Sequence, residues 1–148
     1  MNEMQKPIAI TSKAYERLRE TVGKLPPETG ALIGEVSSII TQVWFDERAG
    51  SGQEYYKPSF AEAEEVVCGW QEKGIHFAGV VHSHIADYPT LSPMDLRSAL
   101  AIMHENHMPS ILLGLYCESS LSFYQVFARY DHLKPCVILR DYQILYCL

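Results

Sequence analysis

Two histidines, a serine and an aspartate lie within fourteen residues at spacings that suit a single metal ion. His82 and His84 follow residues 77–81, an apolar and partly β-branched stretch that predicts a buried strand. Because side chains at i and i+2 point to the same face of a strand, both imidazoles would leave its end on one side. Two histidines and the carboxylate of Asp95 would leave a fourth position open for water, which is the layout of a catalytic zinc site.

A capped helix is predicted to carry the carboxylate to this strand end. Pro89 breaks the chain, Ser92 has the pattern of an N-cap, and Pro93 falls at the first helical position. Asp95 would then lie on the first turn, which can swing back over the strand. Ser-x-x-Asp alone is a capping-box-like pattern, and one His-x-His pair alone is more often incidental. A metal site is favoured because four features occur together, namely a strand end, paired histidines, a proline-containing loop and a capped carboxylate.

This pattern resembles the signature of the JAMM metallopeptidases, also called MPN or JAB. Their signature is a Glu, followed further on by His-x-His, seven residues, Ser, two residues and Asp. The chain matches the second part with no departure in spacing, at His82, His84, Ser92 and Asp95. Glu28 begins Glu-Thr-Gly-Ala-Leu-Ile-Gly, similar to the family's Glu, small residue, Gly, apolar run and Gly. The resemblance covers most of the chain, from the first predicted helix to the strand near Phe127.

The resemblance implies a role for each matching residue. His82, His84 and Asp95 would be the ligands of one Zn²⁺ per chain. Glu28 would be the general base that takes a proton from water and hands it to the leaving amine. Ser92 would help to hold the oxyanion of the substrate. The sequence leaves two roles open for Ser92, because its hydroxyl can serve the oxyanion or only cap the helix.

Glu35 is the other carboxylate on the predicted strand that begins at Glu28. The two residues are seven positions apart, and on a regular strand an odd separation places them on opposite faces. Only one of them can then reach the metal. Glu35 lies next to the predicted hairpin turn at residues 37–38, where a solvated carboxylate is expected, so Glu28 is the predicted base.

The resemblance implies an α/β protein with the JAMM/MPN (cytidine-deaminase-like) fold, a curved mixed β-sheet with helices packed around it. One domain would span residues 1–148, which is about the usual size of a domain. Periodicity predicts helices at 11–25, 60–73 and 92–107. It predicts strands at 28–36, 39–45, 75–82, 109–117 and 121–129, and one more strand within 134–148.

Composition limits the possible binding partners of the protein and its cellular compartment. A net charge of −6 argues against nucleic acid as the main partner. No signal peptide and no apolar run of membrane-spanning length is apparent, so we expect no membrane association. The four cysteines are dispersed and form no Cys-x-x-Cys, which predicts reduced thiols in a cytoplasmic protein. They are Cys68, Cys117, Cys136 and Cys147.

The expected function is that of a zinc-dependent peptidase or isopeptidase that uses metal-activated water. By resemblance to stand-alone prokaryotic members, it would cleave after the C-terminal Gly of a ubiquitin-like or sulfur-carrier protein, gripped by a loop at residues 46–59. The sequence identifies neither the carrier nor the oligomeric state. One alternative is a catalytically silent binding or scaffold module, and another is a metallopeptidase acting on small peptide or amino-acid conjugates.

Two other groups of residues are weaker candidates for metal binding or catalysis. His104 and His107 have helical i, i+3 spacing, but solvent-facing positions are the simpler interpretation. Cys68 could pair with a histidine as a thiol nucleophile, although no surrounding motif supports this and a buried helix cysteine is expected instead.

Overall fold

The structure is a computed structural model that describes residues 6–24, 29–47, 60–84, 90–128 and 134–146. These ranges contain three helices and eight strands. The helices are α1 (Ser12–Glu20), α2 (Phe60–Glu72) and α3 (Pro93–Glu105). The strands are β1 (Ile8–Thr11), β2 (Gly30–Val36), β3 (Ile39–Phe45), β4 (His76–His84), β5 (Ser110–Cys117), β6 (Ser120–Phe127), β7 (Cys136–Arg140) and β8 (Tyr142–Leu145).

All eight described strands belong to one mixed sheet, in the order β7-β6-β5-β4-β2-β3-β1-β8. The two outermost strands, β7 and β8, are consecutive in the chain and are separated by Asp141 alone. The backbone N–H of Ile8 in β1 donates to the carbonyl of Asp141 at 2.9 Å. The two ends of the sheet therefore meet at this corner, and the sheet is nearly closed and barrel-like.

The expected JAMM/MPN (cytidine-deaminase-like) fold, a curved mixed sheet with helices packed around it, is wrong for this chain. Strands predominate over helices in the described residues, and the sheet nearly closes on itself. The physical reason lies at the sheet's ends. The sequence did not predict β1, and the tail contains two strands where one was expected. These short strands extend the sheet at both ends until its edges meet.

Other predicted elements agree more closely with the structure. β2 and β3 form the predicted antiparallel hairpin, and Ser37 and Ser38 at its turn both have positive φ. α1 has Thr11 as its N-cap, but it ends at Glu20 and is shorter than the predicted helix at 11–25. β4 continues to His84, two residues beyond the predicted end at residue 82, so both histidines belong to the strand.

The two faces of β4 contribute to two different cores. Val81 packs in a cluster with Leu18 of α1 and Phe123 of β6. Val80 points the other way, into a second cluster that contains Ala99 and Met103 of α3. α3 therefore covers the Val80 face of β4, and by alternation the side chains of His82 and His84 share that face.

No helix among the described residues is both long and apolar enough to cross a membrane.

Gly79 allows β4 and β5 to lie side by side. It is opposite Leu112 in the parallel ladder, and a Cβ at Gly79 would lie 1.8 Å from the Leu112 carbonyl oxygen. We expect Gly79→Ala to lower the free energy of unfolding by about 1–3 kcal/mol, because the two central strands must separate. Urea denaturation measures this change.

Gly69 in α2 is the matched control, because a Cβ there meets no atom within 4 Å. Gly69→Ala should raise the free energy of unfolding by about 0.5–1 kcal/mol, the usual gain of Ala over Gly within a helix. Equal effects of the two substitutions would contradict the close approach of β4 and β5 at Gly79.

Candidate metal centre

The candidate centre lies where the end of β4 meets the first turn of α3. Parallel pairing of β4 with β5 requires a crossover, and α3 lies in that crossover, with its first turn near the strand end. His82 and His84 project from the face of β4 that α3 covers. Both are buried, as is Asp95 of α3. The chain thus brings together the three residues that the sequence predicted as ligands.

A reciprocal capping box fixes the start of α3. Ser92 Oγ accepts a hydrogen bond from the backbone N–H of Asp95 at 3.1 Å. The backbone N–H of Ser92 donates to Asp95 Oδ2 at 2.8 Å. Pro93 occupies the first turn, where its missing N–H costs nothing. Asp95 is therefore held from both its backbone and its side chain, which sets the direction of its carboxylate.

Ser92 caps α3, as predicted, and this structural role occupies an acceptor position of its hydroxyl oxygen. A serine hydroxyl also has one hydrogen to donate. Capping therefore leaves the hydroxyl hydrogen of Ser92 able to be donated to an oxyanion.

Three potential ligand groups converge at the end of β4. The Nε2 atoms of His82 and His84 are 3.0 Å apart. His82 Nε2 lies 3.2 Å from Asp95 Oδ1, and His84 Nε2 lies 3.2 Å from Asp95 Oδ2. One ligand atom from each of the three residues thus lies within 4.8 Å of the other two, so the group could hold one metal ion.

These separations fit a bound metal ion better than a group of side chains held together by hydrogen bonds alone. Ligands placed tetrahedrally at usual zinc–nitrogen and zinc–oxygen distances are about 3.3 Å apart, close to the distances observed here. Two Nε2 atoms in contact form a hydrogen bond only if one carries a proton and the other does not. A cation between them satisfies both lone pairs and the carboxylate at once.

The surroundings of Asp95 favour its ionised form despite its burial. Burial by itself would raise the pKa of this carboxyl, but hydrogen bonds from His82 and His84 outweigh it and hold the pKa well below its usual range. The backbone N–H of Ser92 acts in the same direction. A buried carboxylate that stays ionised is the form that binds a metal ion.

A second set of contacts fastens the segment before β2 to the same strand. Ser83 lies between the two histidines, and its Oγ accepts a hydrogen bond from the backbone N–H of Thr29 at 3.2 Å. The backbone N–H of Ser83 in turn donates to the Thr29 carbonyl at 3.0 Å. The neighbouring sequence indicates no such role for Ser83. No local pattern could reveal this contact, since the two residues are 54 positions apart.

Glu28, the predicted base, lies outside the described residues, as do residues 48–59 of the predicted loop. Glu35 lies inside them and is remote from the centre. It is opposite His76, at the other end of β4 from His84. The eight residue steps from His76 to His84 span about 27 Å of strand.

Regular alternation of faces, which predicted opposite sides for Glu28 and Glu35, is interrupted in β2. β2 begins at Gly30 and its ladders shift register around Gly34, which breaks the regular alternation of faces. Distance along the sheet excludes Glu35 from the centre. Burial raises the pKa of Glu35, and the nearby His76 partly offsets the rise.

The weaker candidates do not join the centre. His104 and His107 are both exposed, in agreement with the solvent-facing interpretation. Cys68 is exposed on α2, so the expectation of a buried helix cysteine is wrong. Val67 and Trp70 of α2 pack against the second core cluster, whereas Cys68 remains exposed.

This chain matches no model of a known protein family, and no curated protein resembles it significantly. Among solved structures, it is similar to the solution structure of protein DSY2949 from Desulfitobacterium hafniense. The TM-score is 0.68 at 19% sequence identity, over 95% of this chain and 94% of the other. A likeness at this identity concerns the fold alone.

Loss of one imidazole should abolish metal binding. We expect the wild-type chain to bind about one divalent ion, and His84→Ala to bind none, because one histidine and one carboxylate make a poor site. Elemental analysis after dialysis against metal-containing buffer measures the content.

His104→Ala is the matched control and should keep the ion, since that histidine is exposed on the last turn of α3. Circular dichroism establishes that both variants are folded. A wild-type chain that takes up no ion, or a His84→Ala variant that retains it, would contradict the assigned centre.

Proposed function

We propose that this chain is a zinc-dependent peptidase or isopeptidase that uses metal-activated water. Its substrate would be a ubiquitin-like or sulfur-carrier protein, cleaved after the C-terminal Gly. The observation that carries the proposal is the convergence of His82, His84 and Asp95 in one buried cluster. The resemblance of their spacing to the JAMM signature supplies the reaction and the substrate class.

The donor set suits zinc among the common metals. Two imidazoles and one carboxylate are a three-ligand set found in catalytic zinc sites, whereas calcium and magnesium prefer oxygen ligands. When bound, zinc would lower the pKa of a water molecule and polarise a substrate carbonyl. His82, His84 and Asp95 would hold it.

Glu28 is the proposed general base, which takes a proton from water and passes it to the leaving amine. The described neighbour of Glu28 supports this role. Thr29 is hydrogen-bonded to Ser83, which lies between the two histidines. Gly30 pairs with His82 in the adjacent ladder. The chain next to Glu28 is thus fastened beside the proposed zinc ligands.

Ser92 is the proposed donor to the substrate oxyanion. It lies at the start of α3, three residues before Asp95, and the capping box fixes it relative to that ligand. A hydroxyl that is already held by a helix start loses little freedom when a substrate binds, which is the advantage of a preorganised donor.

The proposed substrate-gripping loop begins beside the centre. The backbone N–H of Asp46, at the end of β3, donates to the carbonyl of Gly30 at 3.0 Å. Gly30 is the residue that pairs with His82. An extended C-terminal tail of a carrier protein could be held there by backbone hydrogen bonds, as in strand addition. The proposal retains the cytoplasmic location expected from the dispersed cysteines.

The test is cleavage of a fusion in which a ubiquitin-fold carrier ending in Gly is followed by a short peptide. We expect cleavage after the Gly, loss of cleavage with a strong chelator, and recovery on addition of zinc. Iodoacetamide, which alkylates the exposed Cys68, should leave the rate unchanged. Mass spectrometry of the products locates the cut.

Each contrary outcome identifies an alternative. Zinc binding without cleavage of any peptide would indicate a catalytically silent scaffold module. Cleavage of small peptide or amino-acid conjugates but not of the fusion would indicate a different substrate class. Inhibition by iodoacetamide with indifference to chelators would refute the metal mechanism.

Glu28→Gln should bind zinc normally and lose about 10²–10⁴-fold in turnover of the fusion, the usual contribution of a general base. Glu35→Gln is the matched control and should retain wild-type turnover, because Glu35 lies at the far end of β4 from the centre. If Glu35→Gln lost turnover and Glu28→Gln remained active, Glu35 and not Glu28 would be the general base.

Ser92→Gly separates the two roles of the hydroxyl. Glycine at an N-cap costs only a few tenths of a kcal/mol relative to serine, so the free energy of unfolding should barely change. Turnover should fall about 10²–10³-fold if the hydroxyl donates to the oxyanion. Unchanged turnover with normal zinc content would leave Ser92 as a helix cap only.

A further inference from the structure

Ser83 joins β4 to the start of β2 through its side chain as well as its backbone. The ladder register places Gly30 opposite His82, so Thr29 is opposite Ser83. The backbone N–H of Ser83 donates to the Thr29 carbonyl at 3.0 Å, as in a regular antiparallel pair. The return bond is different, because the Thr29 N–H donates to Ser83 Oγ at 3.2 Å. A side-chain oxygen thus takes the acceptor position that a regular pair gives to a backbone carbonyl.

The hydroxyl groups of the two residues are also in contact. Ser83 Oγ lies 3.3 Å from Thr29 Oγ1, so both side chains are on the same face of the sheet. This face is opposite to that of the candidate ligands, because Ser83 lies between His82 and His84 and successive side chains alternate along β4. Both residues are buried. The Ser83 side chain therefore points away from the candidate metal centre and contacts the segment before β2 instead.

This contact lies where the regular ladder between β2 and β4 ends. β2 begins at Gly30, and Thr29 is the first residue of its described range. A buried backbone N–H needs an acceptor, and Ser83 Oγ provides one at the point where strand pairing is incomplete. Loss of the hydroxyl would therefore remove one of the bonds that hold Thr29 to β4. The residue directly before Thr29 is Glu28, the proposed general base.

We propose that Ser83 is a positioning residue, whose contact with Thr29 sets the direction of the Glu28 side chain relative to the zinc ligands. This role rests on the function proposed above. With the Thr29 side chain on the Ser83 face, alternation along an extended chain directs the preceding side chain to the face of His82 and His84. A general base must be held within hydrogen-bond reach of the water that it deprotonates. A misplacement of about 1 Å can lower turnover about 10²-fold.

The contact itself is measured without turnover, by hydrogen exchange of the Thr29 amide in two-dimensional ¹H–¹⁵N NMR spectra. We expect slow exchange in the wild-type chain and exchange at least about tenfold faster in Ser83→Ala, because the N–H loses its acceptor. Ser83→Thr retains the hydroxyl on a side chain that suits a strand, so it should restore slow exchange. Fast exchange at Thr29 in the wild-type chain would overturn the proposal without any variant having to fold.

Turnover of the carrier fusion separates positioning from metal binding. Ser83→Ala should bind zinc like the wild type, because its side chain is on the other face from the ligands. Its kcat should fall about 10–100-fold while KM stays within about twofold, and Ser83→Thr should recover most of the loss. Unchanged kcat in Ser83→Ala, or loss of its zinc, would overturn the proposal. Circular dichroism establishes that the variants are folded.

Ser110→Ala is the matched control, because it removes another strand hydroxyl that accepts a hydrogen bond. Ser110 Oγ accepts from Gln125 Nε2 at 3.2 Å. Ser110 lies at the start of β5, whereas the other end of that strand pairs with His84. Turnover and zinc content of this variant should match the wild type. A loss as large as that of Ser83→Ala would mean that any such hydroxyl affects the site, and would overturn the proposal.

A double-mutant cycle tests whether Ser83 acts through Glu28. In Glu28→Gln the base is already absent, so the addition of Ser83→Ala should lower the remaining turnover by less than about twofold. If the two losses multiplied in the double variant, Ser83 would support the site by another route and the proposal would be wrong.

The outcomes separate this role of Ser83 from the proposed function. A wild-type chain that binds zinc but does not cleave the fusion would overturn both. Cleavage that is lost in Glu28→Gln and unchanged in Ser83→Ala would overturn only the positioning role. The contact between Ser83 and Thr29 would then serve only to end the pairing of β2 with β4.

Discussion

Three buried polar groups converge at the end of one strand, and the rest of the candidate site depends on their mutual compensation. Two imidazole nitrogens at 3.0 Å and a carboxylate at 3.2 Å from each are costly to bury separately. Together they satisfy one another, and a shared cation would complete that compensation. The arrangement requires α3 to begin over the end of β4. The reciprocal bonds between Ser92 and Asp95 define that beginning.

The position of β4 within the sheet determines what surrounds the cluster. β4 pairs with β2 on one side and with β5 on the other. The β2 side brings Thr29 against Ser83 and Gly30 against His82. The start of the loop after β3 is attached to the same place through Asp46. One end of the barrel-like sheet thus collects chain segments that are distant in sequence around the candidate metal centre.

Closure of the sheet places a cluster of polar side chains at the end opposite the metal centre. When β1, β7 and β8 complete the sheet, its inner face becomes a core, and the residues at the mouth of that core are partly buried. Gln125 and Arg140 are polar residues in this position, and most of their hydrogen bonds are made to each other and to neighbouring backbone. The unsatisfied Nε of Arg140 is a consequence of closure that local sequence could not indicate.

The candidate ligands were predictable because their geometry is local. Alternation along β4 places His82 and His84 on one face, and the capping pattern at Ser92 places Asp95 on the first turn of α3. The hairpin of β2 and β3 was predictable for the same reason, since its turn lies between two apolar segments. Glu28 and the loop that follows β3 remain predictions, because they lie outside the described residues.

The sequence alone thus determined which residues can bind a metal and which local elements present them. The reason is that strand alternation, helical periodicity and helix capping all act over a few neighbouring positions. Only the tertiary structure decided the fold and the surroundings of the site. The pairing of β1 with β8 joins residues more than 130 positions apart. Such pairing depends on the register and closure of the whole sheet, and no short segment carries that information. For this reason the expected fold was wrong, while the predicted ligands lie together in the structure.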